Sequence, residues 1–164
     1  MRLRPATPAD FGFIRSLTCD PAYAPFIGDD DEAQLARYLA DPAARLLIWE
    51  DTAPLGFAIF REIGEASGRV ELFRLALSGA GKGGGAAFMT ALIDFAFGEL
   101  QAKRLWLDAS SENLRAQKLY ERVGFTPASA ALWAELYVGT MTSNACAGPG
   151  VRGVGASMKN MRYS

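Results

Sequence analysis

Phe11, Ile14 and Leu17 recur at helical spacing behind the turn-prone Thr7-Pro8-Ala9-Asp10, which predicts a first helix over residues 8–18 with Thr7 at its N-cap. Ahead of it, Leu3 and Arg4 read as a short strand ended by Pro5. Leu35, Tyr38 and Leu39 predict a second helix that stops before Asp41-Pro42. Three strand-like runs follow: Arg45 to Trp49, Leu55 to Arg61, and residues 69–77. Alternation along the third puts Glu71, Phe73 and Leu75 on one face, with Val70, Leu72 and Arg74 on the other. Ala86 to Leu100 is the clearest helix, carrying Phe88, Leu92, Phe95 and Ala96 on one stripe. Leu105 to Ala109 reads as a strand, and residues 114–123 as a helix closed by Gly124.

The short spacers among the first strands predict antiparallel hairpins, whereas strand, Gly-rich turn, helix and strand make a crossover joining parallel neighbours. The fold class is therefore α/β of the α+β type: a mixed, mostly antiparallel central sheet with flanking helices. Ala131 to Val138 predicts one further strand. Residues 139–156 are small and polar and read as a loop or flexible segment, and Ser157 to Tyr163 as a closing strand. At 164 residues the whole chain, 1–164, is expected to form a single domain.

Composition then removes function classes. Lys+Arg 17 against Asp+Glu 18 leaves a net charge of −1, with no electrostatic footprint for nucleic acid or an anionic membrane. A phosphate-bearing ligand must be held locally, by backbone amides and a few placed cations. The absence of His excludes a Ser-His-Asp triad, a Cys-His pair and His-ligated zinc; no metal is expected. Cys19 and Cys146 lie far apart, which excludes a disulfide-dense scaffold. No run reaches the roughly 18 apolar residues of a membrane span, and no apolar segment follows Arg2 and Arg4, so a cytoplasmic protein is expected. The acidic run Asp29-Asp30-Asp31-Glu32 has two readings, charge at a helix N-terminus or attraction of a cationic substrate.

The sharpest signal is Gly79-Ala80-Gly81-Lys82-Gly83-Gly84-Gly85, between a strand and the best helix. Glycines let the backbone approach a ligand and aim amides at it, and the helix start adds about half a positive charge, which suits a pyrophosphate. The Walker pattern fails, because Gly83 stands where Ser or Thr should follow Lys82 and Ala76 occupies the first Gly position. The dinucleotide pattern G-x-G-x-x-G matches Gly79, Gly81 and Gly84, with Asp108 closing the next strand, but too little chain remains for a doubly wound sheet.

The series Glu71 to Leu77, Gly81 to Gly85, Asn113 to Tyr120 and Gly124-Phe125 resembles the GNAT superfamily of acetyl-CoA-dependent N-acetyltransferases across most of residues 2–127. The family's pyrophosphate loop, Gln/Arg-x-x-Gly-x-Gly/Ala, falls here on Ala80, Gly83 and Gly85; Ala80 lacks the usual polar side chain, a contact that Lys82 would have to supply. The resemblance implies that the fourth and fifth strands splay and admit the pantetheine arm of acetyl-CoA as a pseudo-strand. Leu75 and Leu77 would then offer main-chain groups to it. Loop residues Ala80, Gly81, Lys82, Gly83, Gly84, Gly85 and Ala86 would hold the pyrophosphate. It also implies two closing antiparallel strands, on which a homodimer could be built.

Asn113 and Tyr120 are seven residues apart, two helical turns, and can face one cleft. The resemblance assigns Asn113 to the coenzyme arm and Tyr120 to the thioester sulfur as general acid. A phenol of pKa ~10 can protonate a leaving thiolate while staying protonated at neutral pH. Ordinary packing of Tyr120 and a helix-start role for Asn113 are the bland readings. The acceptor, a small-molecule or peptide amine, loses a proton: an amine of pKa ~10.4 is neutral only about once in 2,500 at pH 7. Glu71 is the first candidate base, Glu62 the second and Asp108 the third, with a water relay or a simply ion-paired Glu71 as alternatives. A non-catalytic CoA sensor and a dinucleotide oxidoreductase are the competing functions.

Overall fold

The computed structural model describes residues 1–79, 81–127 and 136–142. The strands are β1 (Arg2–Pro5), β2 (Arg45–Glu50), β3 (Pro54–Arg61), β4 (Arg69–Leu77), β5 (Arg104–Ser110), β6 (Thr126–Pro127) and β7 (Leu136–Thr142). They form one sheet in the order β1-β2-β3-β4-β5-β7-β6. The helices are α1 (Phe11–Thr18), entered through a 3-10 turn at Pro8–Asp10, then α2 (Glu32–Ala40), α3 (Gly85–Gly98) and α4 (Leu114–Arg122). Among the described residues only β4 and β5 pair in parallel, across the α3 crossover, and every other pair is antiparallel. A doubly wound dinucleotide sheet is thereby excluded. Among the described residues no helix is long and apolar enough to cross a membrane.

The sheet separates two apolar layers. On one face Leu46, Ile48, Phe57, Ile59 and Ala76 pack with Phe11, Ile14, Leu17, Leu35 and Tyr38 of α1 and α2. On the other, Leu47, Ala58, Phe60, Leu72 and Leu105 meet Phe88, Leu92 and Ala96 of α3 and Tyr120 of α4. Phe57, Phe60 and Phe88 are fully buried, each contributing about 2–3 kcal/mol of transfer free energy.

Two expectations need correction. The register of β3 on β4 slips between Ile59 and Phe60: Ile59 lies opposite Arg74 but Phe60 opposite Leu72, leaving Phe73 as an extra residue. This bulge breaks the expected alternation, because each inserted residue inverts the parity of those beyond it. Leu75 consequently packs with Leu72 on the α3 side, while Phe73 packs on the α1 side. At the C-terminal end, the strand expected over 131–138 is Leu136–Thr142, so residues 139–142 belong to a strand and not to the loop read over 139–156. It lies between β5 and the two-residue β6 immediately after Gly124-Phe125; the closing strand expected over Ser157 to Tyr163 lies outside the described residues.

The N-terminal edge is tied by charge. Both terminal nitrogens of Arg4 donate to the buried Asp10, each at 2.8 Å, and its Nε donates to Glu50 at 2.6 Å. The backbone N–H of Thr7 also donates to Asp10. The hydrogen bond from Arg4 holds the Asp10 carboxyl below its ordinary range. A carboxylate with a lowered folded pKa stabilises the fold above its unfolded pKa of about 3.9, and that contribution is lost as pH falls through the folded value. Asp10→Asn is expected to cost about 2 kcal/mol at pH 7 and markedly less at pH 2. Urea unfolding at the two pH values measures this, and an equal loss at both contradicts it.

Candidate active site

Beyond Glu71 the two parallel strands diverge. β4 and β5 pair only at Arg69–Arg104, Val70–Leu105 and Glu71–Trp106, after which β4 continues to Leu77 and β5 to Ser110 without pairing each other. Two local causes are visible. The bulge at Phe73 twists β4 just where the ladder ends, and β5 is drawn the other way by full pairing with β7. The bulge is itself clamped: the Phe73 ring has the Arg61 guanidinium 3.4 Å and the Arg74 guanidinium 4.6 Å from its centroid. Arg61 is paired with Glu71 and Arg74 with Asp30.

The divergence opens a cavity of about 770 Å³. Leu75 and Leu77 line one wall, Asp108, Ala109 and Ser110 the other, and Gly81, Gly83, Gly84 and Gly85 one end. The Gly-rich bend is shaped by left-handed backbone, with Gly81 and Gly83 both at φ +89°. Successive amides alternating between left- and right-handed backbone form an anion-binding concavity. The first α3 amides behind it have no intrahelical acceptor.

Leu77 is engaged from across the cavity. Its N–H donates to the Tyr23 hydroxyl at 3.0 Å, and that hydroxyl donates back to the Leu77 carbonyl at 2.6 Å. Tyr23 belongs to the connection between α1 and α2, 54 residues away, and nothing local in the sequence marks the contact.

The three candidate carboxylates separate clearly. Glu71 is buried and does not line the cavity; it accepts from Arg61 Nε at 2.8 Å, and burial pushes its carboxyl above the ordinary range despite that guanidinium. Glu62 accepts two hydrogen bonds from Arg69 and one from the Trp106 indole, fixing the closed end of the β4–β5 pair. Asp108, ranked last from sequence, is the carboxylate on the cavity wall.

Asn113 and Tyr120 both line the cavity, as their spacing predicts. Asn113 caps α4, its side-chain oxygen accepting from the Ala116 N–H at 3.2 Å. Tyr120 is buried edge-on to Phe125, with ring centroids 6.0 Å apart. Lys82 and Ala86 do not line the cavity; the Lys82 stem lies over Gly79 and its N–H closes a turn on the Gly79 carbonyl. Ala80 lies outside the described residues. Sequence reasoning missed Arg115, Lys118 and Arg122, which line the cavity and form no salt bridge among the described residues. Arg115 reaches the Gly81 bend, within 3.7 Å of where a Cβ would stand. Their i, i+3, i+7 spacing on α4 was the available signal.

A family model described as an acetyltransferase (GNAT) domain matches residues 1–126. No curated protein matches the chain in sequence. Among solved structures, the spermidine N-acetyltransferase of Vibrio cholerae in complex with CoA and spermine superposes with a TM-score of 0.78 at 19% identity, over 89% of this chain and 97% of that one. The dodecameric structure of the Vibrio cholerae enzyme in an intermediate state gives 0.71 at 19% identity, over 87% and 93%. At this identity the likeness concerns the fold.

Proposed function

The chain belongs to the GNAT family of acetyl-CoA-dependent N-acetyltransferases, and from that premise we propose that it transfers acetyl to a primary amine by direct attack within a ternary complex. One observation carries the reading: an amide-lined glycine bend at the mouth of a gap between two diverging strands. The bend and the cations of α4 hold the diphosphate, with Arg115 standing in for the polar side chain that Ala80 lacks. The arm lies between β4 and β5, bonding main-chain groups of Leu75 and displacing the Tyr23 hydroxyl from Leu77. The coenzyme supplies an acetyl carbon activated as a thioester. The amine nitrogen bonds that carbon, the C–S bond breaks, Tyr120 gives its proton to the departing sulfur, and the amine proton leaves through water.

Glu71 is better placed as a positioning residue than as the base. Its carboxylate holds Arg61 over Phe73 and so fixes the bulge. Asp108 is the carboxylate toward which a water relay would run. Calorimetry is expected to show saturable binding of acetyl-CoA and CoA but none of NADH, and free thiol should accumulate only when an amine is added. Coenzyme binding without amine-dependent thiol release would identify a sensor instead.

A further inference from the structure

Resting on the coenzyme site just proposed, we infer that the acceptor is an amine borne on an apolar or aromatic body with a single positive charge, and not a polyamine. Three of the four carboxylates of the acidic run are engaged inside the fold, and the fourth, Glu32, stands in the first turn of α2. Asp29 pairs with Arg15 and accepts from the Thr18 hydroxyl at 3.0 Å. Asp30 pairs with Arg74, and Asp31 caps α2 by accepting from the Gln34 N–H at 2.8 Å. The cationic-substrate reading of the acidic run thus loses three of its four carriers to charge compensation and capping inside the fold.

The wall these residues leave facing the bulge is apolar. Ala22, Pro25, Phe26 and Ile27 line the cavity, as does Phe73. Phe26 is 39% exposed, one of few large hydrophobic side chains left open among the described residues; such a side chain on a cavity rim is what an apolar ligand would cover. Asp108 is the sole carboxylate among the described lining residues, beside Arg74, Arg115, Lys118 and Arg122. None of Asp29, Asp30, Asp31 and Glu32 lines the cavity, so the second and third ammonium groups of a polyamine would meet no further carboxylate among the described lining residues.

The test is thiol release from acetyl-CoA with phenethylamine, tryptamine, putrescine and spermidine as acceptors. Both arylalkylamines should exceed spermidine by at least about tenfold in kcat/KM, the discrimination an apolar pocket gives for body shape and size. Phe26→Glu, a change at an exposed rim position, should lower phenethylamine turnover and raise that of spermidine. Spermidine equal to or better than the arylalkylamines overturns the inference. Turnover of none of the four, with coenzyme still bound, also overturns it but leaves the coenzyme site standing. Failure of the unaltered protein to bind coenzyme removes the proposal beneath it, and this one with it.

Discussion

Gly83→Leu is expected to abolish coenzyme binding, weakening it at least about 100-fold, while the protein stays folded. Gly83 has φ +89°, and a Cβ built on it meets no protein atom within 4 Å. Gly83 lines the cavity, so a leucine there adds bulk at the bend where the diphosphate is proposed to sit. The strain of left-handed backbone costs about 1–2 kcal/mol of stability. Binding suffers far more, since charge-assisted hydrogen bonds from the amides are worth about 1.5–3 kcal/mol each. Gly64→Leu separates the two effects: Gly64 has φ +87°, equally open space and no place in the cavity lining. It should lose similar stability and keep full affinity by calorimetry. Equal affinities in both variants would remove the bend from the binding site.

Tyr120→Phe should lower kcat about 100-fold with coenzyme affinity held within about threefold. General acid catalysis contributes roughly 10²–10⁴ in rate, and the substitution deletes one oxygen while keeping the ring that packs edge-on to Phe125. The packing role of Tyr120, its place among the buried side chains of the α3 face, is thus preserved as the chemistry is removed. A parallel fall in affinity and turnover would make Tyr120 a structural residue only.

What could be read along the chain was what depends on near neighbours. β4 was legible from end to end, because Val70, Leu72 and Leu75 to Leu77 make a dense apolar run between a turn and the glycines. The bend itself was legible from composition, and α3 and α4 from their periodicity and from the Asn113 and Gly124 end signals. The Phe73 bulge was not, since one extra residue inside an apolar strand leaves no local mark and is set by the register of β3. Nor was β6, only two residues long. The fates of the acidic residues divide the same way. Asp31 capping its own helix is a local event, whereas Asp30 meeting Arg74 and Glu71 meeting Arg61 depend on the assembled sheet. The Tyr23–Leu77 contact and the approach of Arg115 to Gly81 are likewise products of tertiary structure.

A crystal structure of the protein with acetyl-CoA tests the central claim most directly. The account predicts the diphosphate against the amides of Gly81 to Gly85, the arm between Leu75–Leu77 and Asp108–Ser110, the Tyr23 hydroxyl moved off Leu77, and the sulfur beside Tyr120. Coenzyme bound elsewhere, with Tyr23 still on Leu77 and β4 and β5 closed against each other to their ends, would contradict it.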